Sequence, residues 1–128
     1  MAINKSGAVA GTAQVASGYS HAFVANGTSM IDLGTLGGVS SYAYAISDEG
    51  DVVGYSWTLG DATTAGFLTQ DGVMYDINLL LIDAPGWRVT ALYGINNSKQ
   101  LVGVGVLNGV EHAVLLSPKD YLANPGGQ

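Results

Sequence analysis

A nine-residue phrase occurs three times in this chain. Ile46-Ser-Asp-Glu-Gly-Asp-Val-Val-Gly54 returns as Ile95-Asn-Asn-Ser-Lys-Gln-Leu-Val-Gly103, and Ile3-Asn-Lys-Ser-Gly-Ala-Val-Ala-Gly11 is a third, looser copy. The starts lie 43 and 49 residues apart. Self-similarity at a period in the forties marks a stack of small repeated units and not one conventionally wound domain.

Each unit reads as short strands. Ser40 to Ser47 alternates Tyr42, Tyr44 and Ile46 with Ala43 and Ala45, a period of two that would set the large side chains on one face. Asp48-Glu49-Gly50 then reads as a turn with Gly50 in the left-handed region. Asn26-Gly27, Asp71-Gly72 and Asn108-Gly109 each divide two strand-like runs, as two-residue hairpin turns do. Longer links, Thr35 to Val39 and Leu79 to Trp87, carry Gly or Pro and mark where one group of strands gives way to the next. No stretch of ten residues has helical periodicity.

The expected fold is therefore all-β. It consists of four-stranded antiparallel meanders resembling propeller blades, in one domain over 1–128 with units of about 3–45, 46–94 and 95–128. The first unit keeps little of its inner strand, and the last has a fourth-strand candidate around Asp120 to Leu122. About two and a half to three blades cannot close a ring, so completion by oligomerisation or by a longer parent chain is expected.

Composition limits the function. Ten acidic residues face four basic ones, Lys5, Arg88, Lys99 and Lys119, for a net charge of −6. With no basic stripe to neutralise phosphates, neither nucleic acid nor a membrane surface is an expected partner. The absence of cysteine removes disulfides, thiolate metal sites and cysteine nucleophiles. No apolar run approaches the ~18 residues of a membrane span, and Met1 to Gly7 has no signal-peptide pattern.

His21-Ala22-Phe23, then Met30-Ile-Asp-Leu-Gly-Thr-Leu-Gly-Gly38 and a Ser-rich strand leading into the repeated phrase, resemble the bacterial HAF repeat. Asp76 to Trp87, followed by Ile95 to Gly105 and His112 to Pro118, is similar to the closing portion of such proteins. The resemblance implies an extracellular or cell-surface setting and no particular activity. The second unit carries Ala65-Gly66-Phe67 at the tripeptide, and the third His112-Ala113-Val114.

Few residues carry chemistry. His21 and His112 are equivalent, but Ala65 stands between them in the series, and a metal site would need further ligands. A strand histidine bonded to a neighbouring turn is the simpler expectation. Asp48, Glu49 and Asp51 lack the alternate spacing of a calcium loop and read as turn caps. Asp32 and Asp76 recur in register, as architectural residues do. No metal, cofactor or catalytic residue is assigned. Tyr19, Tyr55, Trp57 and Trp87 lie at strand ends or in the long link, where a ring can stack on a ligand or fill a gap between units. Tyr19, His21 and Trp57 are the candidate ligand contacts. The leading expectation is a non-enzymatic recognition or adhesion module, homo-oligomeric, with a glycan or protein ligand. A polysaccharide-active enzyme on the same scaffold and a purely structural assembly unit are the alternatives.

Overall fold

The computed structural model describes residues 1–122. Three antiparallel sheets follow one another along the chain. The first contains β1 (Ala2–Ile3), β2 (Val9–Gln14), β3 (Ser20–Asn26) and β4 (Ser29–Asp32). The second contains β5 (Gly37–Ile46), β6 (Val52–Thr58), β7 (Thr64–Gln70) and β8 (Val73–Asp76), with the short helix α1 (Ile77–Leu80) after it. The third contains β9 (Trp87–Ile95), β10 (Leu101–Leu107) and β11 (Val110–Leu116), followed by α2 (Pro118–Tyr121). Within each sheet the strands lie in chain order, which makes each a meander and the whole a set of incomplete propeller-like blades.

The expected fourth strand around Asp120 to Leu122 is instead helical. Pro118 occupies the first turn, where its missing N–H costs nothing, and Asp120 accepts from the Ser117 N–H at 2.7 Å. α2 drops Tyr121 into the core, and the phenol donates to the Lys99 carbonyl. The Leu79 to Trp87 link likewise begins in α1, with Asp76 accepting from Asn78 N–H at the helix start.

Two hairpins turn where the sequence places them, since Gln70 pairs with Val73 around Asp71-Gly72 and Leu107 with Val110 around Asn108-Gly109. All four turn residues have positive φ, the twist that suits a two-residue hairpin. In the first sheet Asn26 itself pairs with Ser29, so the turn is Gly27-Thr28, one residue later than the Asn-Gly signal suggests. Only Gly27 of that pair has positive φ.

A bulge corrects the simple alternation along Tyr42 to Ile46. Ala43 pairs with Gly54 and Ala45 with Val53, which leaves Tyr44 opposite no partner. Ala43 and Ile46, three residues apart, consequently join one core between the first and second sheets, while Ala45 packs against the other. The third sheet repeats the device, with Val102 on Gly94, Gly103 on Leu92, and Tyr93 left out. The bulge explains the glycine that ends the second and third copies of the repeated phrase. A Cβ on Gly54 would overlap the Tyr42 carbonyl oxygen, and one on Gly103 the Ala91 carbonyl oxygen.

The sheets pack face to face. Ala8, Ala10, Ala22 and Leu33 meet Ala43, Ile46, Val52 and Phe67 in the first core. Val53, Leu68 and Ile77 meet Val89, Leu92 and Leu101 in the second. Hydroxyl groups bridge these junctions. Ser41 Oγ accepts the Ala22 N–H at 2.8 Å and donates to the Gly34 carbonyl at 2.6 Å, Ser40 Oγ accepts the Ser20 N–H at 3.2 Å, and the fully buried Ser56 Oγ accepts at 2.8 Å the N–H of Leu36 in the link that joins the first sheet to the second. Among the described residues no buried side-chain nitrogen or oxygen lacks a partner, as a polar group taken out of water requires.

The first half of each repeated phrase is a turn, and the three turns bond side by side. Asn4, Ser47 and Asn96 each close the same loop, with the residue at the fourth position, Gly7, Gly50 or Lys99, at positive φ. Asn4 Nδ2 donates to the Ser47 carbonyl at 3.0 Å, and Lys5 N–H to Asp48 Oδ1 at 2.9 Å. Asp48 N–H donates to Asn97 Oδ1 at 3.2 Å, and Asn97 Nδ2 to Asp48 Oδ2 at 2.7 Å. Those two donors hold the exposed Asp48 carboxyl below its ordinary range. Asp51 differs. Burial raises its pKa, Lys99, whose ammonium lies 3.8 Å away, opposes that rise, and Glu49 and Asp71 add to it.

Gly54→Ala and Gly103→Ala should each cost about 3 kcal/mol or more in urea unfolding, because backbone must move. Gly60→Ala, at positive φ but with open space around it, should cost only about 1 kcal/mol. Asp51→Asn should raise the melting temperature at pH 7. An acid whose folded pKa lies above its unfolded one penalises the folded state while ionised, and the penalty fades as pH falls through the raised value toward 3.8. The advantage of the Asn variant should therefore vanish by about pH 3.

Candidate functional site

The two bulged tyrosines define the most chemically distinctive place in the molecule. A bulge leaves its extra residue outside the ladder and redirects its side chain. Tyr44 and Tyr93, 49 residues apart like the phrases that follow them, meet edge to face with ring centroids 4.9 Å apart. Tyr44 also stacks on Tyr55 at 5.8 Å, and Tyr55 lies against its cross-strand partner Tyr42 at 5.0 Å. Tyr44 and Tyr93 are both more than two-fifths exposed, whereas Tyr42 and Tyr55 are half-buried beneath them.

Tyr44, Tyr55 and Tyr93 form one wall of a cleft of about 320 Å³ between the second and third sheets. Trp57 extends the aromatic wall, and Thr64, Thr90, Ala91, Val104 and Glu111 complete the lining. The position follows from strand parity. Val53, Tyr55 and Trp57 alternate along β6 on the face turned toward the third sheet, and Val53 is buried in the second core. Deep in the junction that face packs against Val89, Leu92 and Leu101, and farther along it opens. The Thr64 hydroxyl donates to the Thr90 carbonyl at 3.0 Å, which ties the floor of the cleft across the two sheets. Arg88 reinforces this tie, its guanidinium donating to the Thr64 carbonyl.

Burial pushes the Tyr55 phenol up to about 12, and the neighbouring Tyr44, Tyr42 and Tyr93 add to the effect. Tyr55 thus keeps its proton across the physiological range, and Glu111 stands at the border of the cleft.

The three residues singled out from the sequence are separated. Trp57 lines the cleft. Tyr19 is half exposed in the turn between β2 and β3, where its carbonyl accepts from Val15 N–H at 2.9 Å. His21 lies on β3 with Phe23 and Ala25, on the face of the first sheet turned away from the second, since the alternate residue Ala22 is buried in the first core. Its Nδ1 meets both Asp32 oxygens at 2.9 and 3.0 Å. Burial pushes the Asp32 carboxyl up, but the Gly34 N–H and the His21 contact outweigh it and bring it below its ordinary range. The equivalent His112 packs its ring edge against Trp87 at 5.5 Å, and the equivalent Asp76 caps α1. Asp32 and Asp76 thus tie the ends of their strands to the segments that follow.

Tyr44 and Tyr93 escape a reading by alternation, which places Tyr44 on the same face as Ile46. Their 49-residue spacing was the available signal, because it assigns both to one position of the repeated unit. A second groove, of about 350 Å³ and mostly apolar, runs between Leu81 to Trp87 and β11. It lies beside a strand that, among the described residues, pairs only with β10, and it has fewer converging polar groups than the aromatic cleft.

Alkaline titration provides a test of the tyrosine environment. A phenol whose folded pKa is about 12 against an ordinary 10.0 favours the folded state while it keeps its proton. That contribution is complete below pH 10 and is lost as pH rises toward about 12. Tyr55→Phe should flatten the fall in melting temperature over that interval, and the late phenolate absorbance step should lose part of its amplitude. Tyr121, also raised to about 12, should supply the remainder.

Compared with known proteins, the chain matches no family model, no curated protein and no solved structure.

Proposed function

We propose that this protein is a non-enzymatic recognition module of an exported or surface protein, and that its ligand is a neutral glycan seated in the aromatic cleft. The observation that carries the reading is the convergence of Tyr44, Tyr55, Trp57 and Tyr93 on one opening between rigid sheets. Pyranose rings present flat C–H faces that pack on aromatic rings, while their hydroxyls need donors and acceptors at the edge. Phenols, the Thr90 hydroxyl and the Glu111 carboxylate provide both kinds. Cleft polarity favours a neutral sugar over an acidic one, because Glu111 and a net charge of −6 both repel carboxylates and sulfates.

The exported setting rests on the resemblance to HAF repeats. The non-enzymatic reading rests on the cleft lining, in which Glu111 is the one carboxylate among the described residues. Hydrolysis of a glycosidic bond ordinarily uses two, about 5 to 9 Å apart.

Calorimetry against a panel of neutral and acidic oligosaccharides, with Trp57 fluorescence as a second readout, tests the proposal. At least one neutral oligosaccharide should bind and perturb the fluorescence. Tyr93→Ala should weaken that binding about tenfold or more, consistent with loss of an aromatic anchor, without lowering the melting temperature by more than a few degrees. Tyr19→Ala, remote from the cleft lining, should leave binding unchanged. Failure of every oligosaccharide to bind, or equal binding by the Tyr93 variant, overturns the reading.

A further inference from the structure

The repeat allows each sheet to be compared with the others position by position, and the two outermost faces are the ones that differ. Ile3, Ile46 and Ile95 correspond, as do Val9, Val52 and Leu101, and Phe23, Phe67 and Val114. In the second and third sheets these residues face the preceding sheet. Ile46, Val52 and Phe67 are buried in the first core at 9%, 1% and 0% exposure, and Leu101 in the second at 0%. In the first sheet no sheet among the described residues precedes that face: Ile3 is 68% exposed and Val9 half-buried, while Phe23 is covered at 9%, its ring lying against Gly11.

The opposite faces repeat the comparison. Ala10, Val53 and Val102 correspond, and so do Val24, Leu68 and Leu115. Val53 and Leu68 face the following sheet at 0% and 2% exposure. Val102 and Leu115, on the last sheet, are 47% and 60% exposed. The three described sheets therefore present, on their two outer faces, the two different halves of a contact that they already make twice among themselves.

We infer that the outer face of the third sheet, around Val102 and Leu115, docks on the outer face of the first sheet, around Ile3, of a second copy of this chain. Continuity with the internal junctions selects that occupant. An unrelated partner would need to match only one of the two faces, whereas a second copy matches both, and in the order that the chain itself uses. The turn series continues in the same sense. Asn96 stands where Asn4 stands, and Asn4 Nδ2 reaches the carbonyl of the next turn. Asn96 Nδ2 is held by Gln100 of its own exposed turn, and the Asn4 carbonyl of the second copy would be its acceptor across the new junction.

Contacts of this head-to-tail kind either polymerise or close into a ring. Three sheets from each of two copies make six, within the roughly four to eight blades of closed propellers. Two copies joined by two identical junctions leave no outer face uncovered. The assembly is accordingly a dimer.

Light scattering after size exclusion, at tens of micromolar chain, tests this directly. The expected mass is twice 13.1 kDa. Ile3→Glu and Leu115→Glu, both at exposed positions, should each give folded monomers by circular dichroism. Mixed together they should recover a one-to-one dimer, because each variant retains the half that the other has lost. A wild-type monomer overturns the inference and assigns these faces to other occupants, such as further repeats. An open series of larger species overturns the two-copy ring. Variants that dimerise alone, or that fail to recover on mixing, overturn the head-to-tail contact. Should Leu115→Glu not fold, Val102→Lys replaces it in the mixing experiment, and the wild-type mass decides in any case.

Discussion

Everything in this molecule depends on how one small sheet is held over the next. A single meander of three or four strands buries too little apolar surface to offset the entropy of ordering its chain. At the first junction half of the buried core side chains are alanines, Ala8, Ala10, Ala22 and Ala43. Small residues let the backbones approach closely, and close approach brings backbone N–H and carbonyl groups within reach of side chains on the neighbouring sheet. Ser41 and Ser40 use that proximity, accepting the Ala22 and Ser20 N–H groups of the first sheet. Their hydroxyls satisfy groups that strand pairing leaves over, so each acts as a locating pin between an otherwise featureless pair of alanine-rich faces. Directional bonds of this kind define relative position more sharply than apolar contact, which is non-directional.

The turn series provides the same service at the end of the junctions where the repeated phrase begins. Position is shared among several modest bonds, none of them demanding. One position departs from the local rule. Lys99 occupies a left-handed conformation that its two counterparts assign to glycine, at a strain cost of about 1 kcal/mol. The surroundings account for it. Its carbonyl receives the Tyr121 phenol, and its ammonium lies 3.6 Å from Glu49 and 3.8 Å from Asp51 of the adjacent sheet. A glycine could supply the backbone but not the charge.

The all-β class, the meander order and the positions of most hairpins were legible because period, turn dipeptides and glycine placement are all local signals. Three features were not. The bulges at Tyr44 and Tyr93 go with a close approach of Gly54 and Gly103 to the neighbouring strand, which alternation along one strand cannot reveal. The helix at Pro118–Tyr121 depends on Tyr121 reaching a core built by residues far away in sequence. The bonds between turns depend on sheets being stacked in the first place, so Asp48 and Asn97 read from sequence only as caps of their own loops. Of the candidate contacts, Trp57 stands in the cleft, while its companions Tyr44 and Tyr93 were hidden by the same bulges.

The two spacings of the repeated phrase differ by a short helix. Four residues, 33–36, join β4 to β5, but ten, 77–86, join β8 to β9, and α1 sits in the longer link. Both links nevertheless deliver the next strand to an equivalent place, and the turns downstream still meet their neighbours. Extra length in such a connector costs little closure entropy, since that cost grows only with the logarithm of loop length. The links are thus where the chain can gain or lose residues without disturbing the alignment of one sheet over another. The strands, pinned by bulge and hydroxyl, have no such freedom. A lineage of such proteins would diverge in outline while keeping its cadence.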